Sequence, residues 1–309
     1  MAGYFWDGVE GVVDRATTPR HPPGRPATEG LWSADLRRLA PMATTSDLAG
    51  FWPDGVTFLD EVSPAAWLGP RLLPWLGSEF GTRVGAVVPT GYPAYVRILH
   101  PLGKGPDRPR WKDIVEAAGL IYHPLIQWDR LPLPLPAGMG HQNSAPSTGD
   151  MAVSLRHSLI TNLASETGTP DSVYYGIWDG YGYLHRGSSA NFTYVDDPRP
   201  GHPRRQVSLE GLYHMVEGRP KFTLPGRAYL LAHGALDDLP LFPAHLTPSF
   251  IWPEDHSFCC ATEIDFDSTL VGLSEQGAQR LLGDDSLEAL PIGVSDMLDI
   301  FGDTINPGP

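Results

Sequence analysis

Proline and glycine are frequent throughout this sequence, and they limit how far a helix or strand can continue. The 309 residues include 32 prolines and 34 glycines. This content stays below the unpatterned excess of roughly 25–30% that is typical of disordered chains. Nine tryptophans, 11 tyrosines and 11 phenylalanines also indicate a folded protein. The apolar segment 63–80 is divided by Pro70 and Pro74, so it is expected to form short, broken helices.

The other apolar runs are short and predict a protein of the α+β class. β-Branched and aromatic residues favour strands at 82–88, 94–99, 173–178, 181–185, 227–232, 257–264 and 269–271. Helical periodicity and end signals favour helices at 111–118, 150–166 and 274–282, the second of them capped by Asp150. We therefore expect a mixed or largely antiparallel sheet flanked by three or four helices.

A long stretch without periodicity divides the sequence. Residues 129–149 begin with alternating leucine and proline and continue with loop composition, which favours polyproline II and irregular structure. This predicts an N-terminal α+β lobe over 1–128, a linker or loop over 129–149, and a β-rich lobe with an acidic end over 150–309. One compact domain is the alternative.

The negative charge is concentrated at the C-terminal end. The formal net charge is −14, of which residues 231–309 carry −13, with Arg280 as their single basic residue. Such a surface repels phosphate backbones, so no nucleic-acid binding is expected through this quarter of the chain. A cationic partner, a metal ion or plain solvent could face it instead.

Three carboxylates alternate with apolar residues at the end of the predicted strand 257–264. In an extended backbone Glu263, Asp265 and Asp267 share one face. Like charges so close together require water, hydrogen bonds or a cation, and a divalent cation such as Mg²⁺ or Ca²⁺ would satisfy them. No cofactor is otherwise evident, and these three residues are the candidate metal ligands. The alternative interpretations of these carboxylates are a solvated strand face and a docking face for a basic partner.

The run Trp252-Pro253-Glu254-Asp255-His256 places an acidic pair beside a titratable imidazole, which could form an acid/base couple. The alternative is a turn whose tryptophan packs on the core. Together with the carboxylates this run defines one candidate site, made of Trp252, Glu254, Asp255, His256, Glu263, Asp265 and Asp267.

Asp179-Gly180 between two aromatic runs predicts a β-hairpin with a type I′ turn. On one face of that hairpin Tyr174, Trp178 and Tyr181 would form an aromatic surface for a sugar or a base. Cross-strand packing in the core is the alternative use of these rings.

The sequence excludes several well-marked enzyme classes. It contains no G-x-S-x-G, no G-x-x-x-x-G-K and no G-x-G-x-x-G. The run from Asp265 to Thr269 resembles the D-x-D-x-T motif of haloacid-dehalogenase-type phosphatases. The remaining chain of about 40 residues contains no lysine, which argues against that family.

The cysteines and the apolar runs favour the cytoplasm. No stretch approaches the ~18 apolar residues of a membrane span, and the first ten residues lack a secretory pattern. Cys259 and Cys260 are adjacent and cannot build a disulfide framework. Each is expected to be a small strand residue, one on each face of a sheet.

Three stretches carry a resemblance: Tyr95–Pro101, Tyr175–Gly180 and Trp252–Gly272. They resemble a family of uncharacterised cytosolic proteins from high-GC actinobacteria, and the resemblance spans residues 80–300. It implies a cytosolic protein from a GC-rich genome and transfers no activity, fold or site residue.

These patterns favour a non-catalytic cytosolic binding or interaction protein that uses its acidic C-terminal surface to contact a protein or a small molecule. The alternative is a carboxylate- or metal-dependent enzyme, such as a hydrolase, centred on residues 252–267. A structural subunit of a larger assembly is the third hypothesis.

Overall fold

Among the residues that the structure describes, nine strands form one antiparallel sheet. The computed structural model describes residues 52–75, 81–103, 108–131, 145–185, 191–195, 204–208, 210–243, 246–299 and 302–306. These residues all belong to one unit that spans Ala43–Pro309. In chain order the strands are β1 Thr57–Phe58, β2 Gly81–Arg83, β3 Ala94–Leu99, β4 Val173–Trp178, β5 Asn191–Val195, β6 Arg204–Ser208, β7 Lys221–Leu224, β8 Arg227–Gly234, β9 Phe250–Pro253, β10 Cys259–Ala261, β11 Ser268–Leu273, β12 Ala289–Pro291 and β13 Met297–Asp299.

The strand order of the central sheet is β1-β8-β4-β9-β10-β11-β3-β12, and β7 also pairs with β8. Two further pairs, β2 with β13 and β5 with β6, stand outside it. Each of these pairings is antiparallel. The prediction of an α+β protein with a largely antiparallel sheet is therefore confirmed.

The helices are short, as the frequency of proline and glycine suggests. In the described part of the chain they are α1 Leu68–Arg71, α2 Val84–Val87, α3 Trp111–Ala117, α4 Val153–Leu163, α5 Glu210–Val216 and α6 Glu275–Leu282. The Oγ of Ser274 accepts a hydrogen bond from the main-chain N–H of Gly277 and caps α6. Asp150 does not cap α4, because its carboxylate accepts hydrogen bonds from Arg156 and Thr247 instead.

The sheet buries both of its faces. On the first face, apolar side chains of α4, α5 and α6 pack against residues such as Ile251 and Cys260. On the second face, α1 and α2 pack against residues such as Trp252 and Cys259. The adjacent cysteines thus lie one on each face, because successive strand residues point to opposite sides. Burial raises the pKa of both thiols, which keeps them protonated.

The predicted hairpin is wrong, although its first strand is correct. β4 spans Val173–Trp178, but Gly182–Leu184 form a 3₁₀ turn rather than a second strand. The reason is that β4 is an interior strand, paired with β8 along one edge and with β9 along the other. Both edges of β4 are therefore paired along Val173–Gly176, where a hairpin partner would have to lie. The Asp179-Gly180 turn is held by other groups: the Asp179 N–H donates to the carbonyl of Ala228.

Two other strand predictions are too long. The segment 82–88 is divided into β2 and α2, because one helical turn buries Val84 and Val87 against the second face. The segment 257–264 keeps only β10, and the chain turns before β11.

The central sheet takes strands from both predicted lobes. β3 from the 1–128 segment lies between β11 and β12 from the 150–309 segment. Residues 1–51 of the predicted N-terminal lobe and residues 132–144 of the predicted linker lie outside the described residues. Within the described part of the chain, no helix has the length and apolarity that a membrane span requires.

Candidate functional site

A pocket of about 550 Å³ opens on the second face of the sheet. Its volume falls within the range of about 300–1,000 Å³ that is usual for small-molecule sites. Most of its wall is apolar, and three charged side chains converge on it. The residues that line it are Leu72, Trp75, Ala86, Val87, Leu224, Pro225, Gly226, Arg227, Tyr229, Phe250, Glu263 and Asp265.

Two turns bring the charged residues together. The β7–β8 turn consists of Pro225 and Gly226, and Gly226 has a φ of 83°, which fits the Pro-Gly centre of a type II turn. β8 therefore begins with Arg227 at the pocket. The β10–β11 turn contains Glu263 and Asp265, and the Phe266 N–H donates to the carbonyl of Glu263.

A glycine in the neighbouring loop holds the β10–β11 turn in place. Gly149 has a φ of 65°, and its N–H donates to the carbonyl of Phe266. A Cβ at this position would lie 2.5 Å from the carbonyl oxygen of Ile264. Only glycine permits this close backbone approach.

Glu263 is the buried acid of the pocket. Its side chain is 7% exposed, and burial raises its pKa to about 7 even though the Arg227 guanidinium opposes the shift. Desolvation of the carboxylate thus outweighs the attraction of the nearby cation. A carboxyl group with this pKa is present in both protonation states near neutral pH, which is the property required of a general acid/base or of a proton-linked binding group.

One guanidinium nitrogen serves both carboxylates of the pocket. Arg227 Nη2 lies 2.5 Å from Glu263 Oε1 and 2.8 Å from Asp265 Oδ2. The contact to Asp265 is an aligned hydrogen bond, whereas Glu263 Oε1 is buried without one. The Arg227 guanidinium also lies over the ring of Trp178, 5.4 Å from its centroid.

Asp267 is not part of the pocket, so the expectation of three carboxylates on one face is wrong. The segment is a turn, and Asp267 Oδ1 accepts a hydrogen bond of 2.9 Å from Nη2 of Arg97 on β3. Arg97 is buried, and its guanidinium binds the Asp267 carboxylate outside the pocket. Among the residues that the structure describes, no group of three or more His, Cys, Asp or Glu side chains is arranged to hold a metal ion.

The run from Trp252 to His256 lies away from the pocket and is largely structural. Trp252 is completely buried on the second face, stacked on Tyr174 with ring centroids 5.6 Å apart. His256 stacks on Trp67 at 4.3 Å. Burial, followed by the charge of Arg71, lowers the pKa of His256.

The two acids of this run have different environments. Glu254 is exposed. The Asp255 carboxylate accepts hydrogen bonds from Thr167, from the Gly168 N–H and from the Ser257 N–H. These bonds outweigh the effect of its partial burial and lower its pKa. An acid/base couple with His256 is therefore not assembled: the carboxylate is engaged by the 167–168 loop and the imidazole by Trp67.

The three aromatic candidates do not share one surface. Tyr174 and Trp178 pack against the second face of the sheet, whereas Tyr181 packs against the first. Trp178 and Tyr181 still meet edge to face at 5.2 Å, where the chain passes the end of β4. All three are partly buried. Trp178 does not line the pocket, but its ring contacts Arg227, which does.

Many acidic residues of the C-terminal quarter accept hydrogen bonds from the main chain. Such bonds stabilise turns and helix ends. The carboxylates that accept main-chain N–H groups include those of Asp238, Asp255, Asp284, Glu288, Asp296 and Asp303. Six of the fourteen acidic residues of this quarter therefore stabilise the local backbone.

Arg227 and the aromatic wall of the pocket were missed by sequence reasoning. The sequence pattern predicts only a strand at Arg227, and Trp75, Tyr229 and Phe250 come from distant segments. The Pro225-Gly226 turn is the one local signal that could have drawn attention to Arg227.

Comparison of the chain with protein-family models, curated proteins and solved structures gives no match.

Proposed function

We propose that this protein binds a small, largely apolar molecule in the pocket around Glu263 and does not transform it. The observation that carries the proposal is a cavity with apolar walls and a few convergent polar groups, which is the usual form of a small-molecule site. Trp75, Tyr229 and Phe250 supply the aromatic part of the wall. Glu263, Asp265 and Arg227 supply groups that could orient the ligand.

A binding role for the acidic C-terminal surface has less support than the pocket. Several carboxylates of this quarter hold turns through main-chain hydrogen bonds, so these residues already have a structural role. We therefore propose the pocket, rather than the acidic surface, as the binding site.

Filling the pocket is expected to abolish ligand binding without unfolding the protein. Leu72 is half-buried and lines the cavity, so the larger ring in Leu72→Trp would occupy that space. Ile121→Trp is the matched control, because Ile121 is 59% exposed and lies outside the pocket. The measurement is the fluorescence of a neutral apolar dye such as N-phenyl-1-naphthylamine, with circular dichroism as the check on folding.

We expect the wild type and Ile121→Trp to enhance the dye emission equally, and Leu72→Trp to lose most of the effect. A wild type that leaves the dye unchanged would contradict the proposal. So would a folded Leu72→Trp variant that binds the dye as the wild type does.

A second candidate function is metal-independent hydrolysis in the same pocket. The observation that favours it is the pKa of Glu263, about 7, next to a second carboxylate, because general acid/base groups work best with a pKa near the working pH. Turnover of 4-nitrophenyl esters or glycosides should then depend on pH with a midpoint near that pKa. It should vanish in Glu263→Gln and persist in Glu254→Gln. Absence of turnover in the wild type would leave binding as the function of the pocket.

A further inference from the structure

We infer that the ligand of this pocket carries a positively charged group, such as a protonated amine, which sits between Glu263 and Asp265 while its apolar body contacts the aromatic wall. The inference rests on the proposed binding function and adds the chemical class of the ligand. It follows from the charges, the hydrogen-bond donors and the walls of the pocket.

The described lining residues include two carboxylates and one basic side chain. Glu263 and Asp265 face the single guanidinium of Arg227. When both carboxylates are ionised, the pocket holds one more negative than positive side chain, with Glu263 buried and Asp265 66% exposed. The excess negative charge beside the buried Glu263 attracts a cationic ligand group and repels an anionic one.

The hydrogen bonding of the two carboxylates is uneven. Both contact Arg227 Nη2, which gives an aligned hydrogen bond only to Asp265. Main-chain hydrogen bonds from Ile264 and Asp265 also favour the ionised form of Glu263. Glu263 Oε1 is buried 2.5 Å from Arg227 Nη2 and lacks an aligned hydrogen bond within the described part of the chain. An ammonium group has three N–H donors and no acceptor, so it could give Glu263 Oε1 the aligned hydrogen bond that Arg227 does not give.

The walls suit the rest of such a ligand. Trp75, Tyr229 and Phe250 line the same pocket as the carboxylates, and a cation beside an aromatic face gains further attraction. Arg227 already lies over Trp178. This contact could hold the Arg227 guanidinium over Trp178 when a ligand amine replaces the guanidinium beside Glu263.

The titratable groups around Glu263 make a clear pH dependence possible. Arg227 and Tyr229 face it from β8, Asp265 from its own turn, and Tyr181 from the segment after β4. Burial, followed by the charges of nearby acids, raises the pKa of both tyrosines, which therefore stay neutral. The pKa of Glu263 is about 7, so the attraction for a cation should grow as the pH rises through neutrality.

Titration calorimetry with three indoles tests the inference. Tryptamine, tryptophol and indole-3-acetate share one ring system and carry a cation, a neutral hydroxyl and an anion. At about pH 8 we expect the amine to bind at least about 10-fold more tightly than the alcohol, since a charge-assisted hydrogen bond contributes that much. The acid should bind most weakly. The preference for the amine should shrink at about pH 5.5, where Glu263 is protonated.

Glu263→Gln should remove the preference for the amine, and Glu254→Gln, at an exposed carboxylate outside the pocket, should keep it. Asp265→Asn is the second variant, because this side chain is 66% exposed and its replacement disturbs the fold little. Asp265→Asn should reduce the preference for the amine without removing it.

The possible failures can be told apart. If the neutral dye binds but the alcohol or the acid binds as tightly as the amine, the inferred ligand class is wrong and the binding function stands. If neither the dye nor any indole binds, the proposed function itself is wrong. An unchanged preference for the amine in folded Glu263→Gln would also overturn the inference.

Discussion

Replacing Arg97 with alanine is expected to lower the free energy of unfolding by about 3 to 5 kcal/mol, the usual result of removing one partner of a buried ion pair. The side chain is 2% exposed and makes four hydrogen bonds of 2.8 to 2.9 Å. Two go to the carbonyls of Pro124 and Ile126, and the others to Ser268 and Asp267. Alanine would leave all four acceptors without this donor. Urea denaturation measures the effect.

Arg83→Ala is the control, because Arg83 also lies on a strand but is exposed. Its effect should stay within about 0.5 kcal/mol, as for most surface substitutions. A loss below about 1 kcal/mol in Arg97→Ala would contradict the structural role of this residue, since an unsatisfied buried acceptor alone costs about that much.

The second large effect is a pH-dependent gain in stability when Glu263 is replaced by glutamine. Burial raises the pKa of Glu263 from 4.5 to about 7. Between these values the folded protein holds a proton that the unfolded chain has released, so wild-type stability falls as the pH rises. The shift corresponds to about 3 kcal/mol. Relative to the wild type, Glu263→Gln should therefore be more stable by about that amount at pH 8 than at pH 4.

The comparison requires urea denaturation of both proteins at each pH, so that the other titrating groups cancel. Glu254→Gln should show no such trend, since Glu254 is exposed. A constant difference between wild type and Glu263→Gln across this range would mean that the Glu263 carboxyl is not perturbed by burial. The opposite slope would mean that Arg227 dominates over desolvation.

Several elements could be predicted because their signals are local. The predicted bounds of β3 and β4 agree with the structure, and α3 and α6 differ from theirs by one residue at one end. β-Branched and aromatic runs, a serine cap and a following glycine act within a few residues. The two-sided burial of Cys259 and Cys260 follows in the same way from the alternation of a strand.

The candidate site shows why local patterns fail elsewhere. The alternation from Glu263 to Asp267 is that of a strand, but the segment forms a turn whose ends are held by arginines from two other strands. Arg97 is 170 residues from Asp267 along the chain, and Arg227 is 38 residues from Asp265. Periodicity cannot detect partners at such distances.

The sequence by itself determined the α+β class, several short elements and the acidic excess of the last quarter, because composition and local spacing control these properties. Only the tertiary structure decided which carboxylates act together. It buries Glu263 beside Arg227 and Asp265 in an apolar pocket, turns Asp267 toward Arg97, and uses Asp255 to hold a loop. The physical reason is that a carboxylate's role depends on its desolvation and on the nearest cation or N–H group, and here long-range strand pairing sets both.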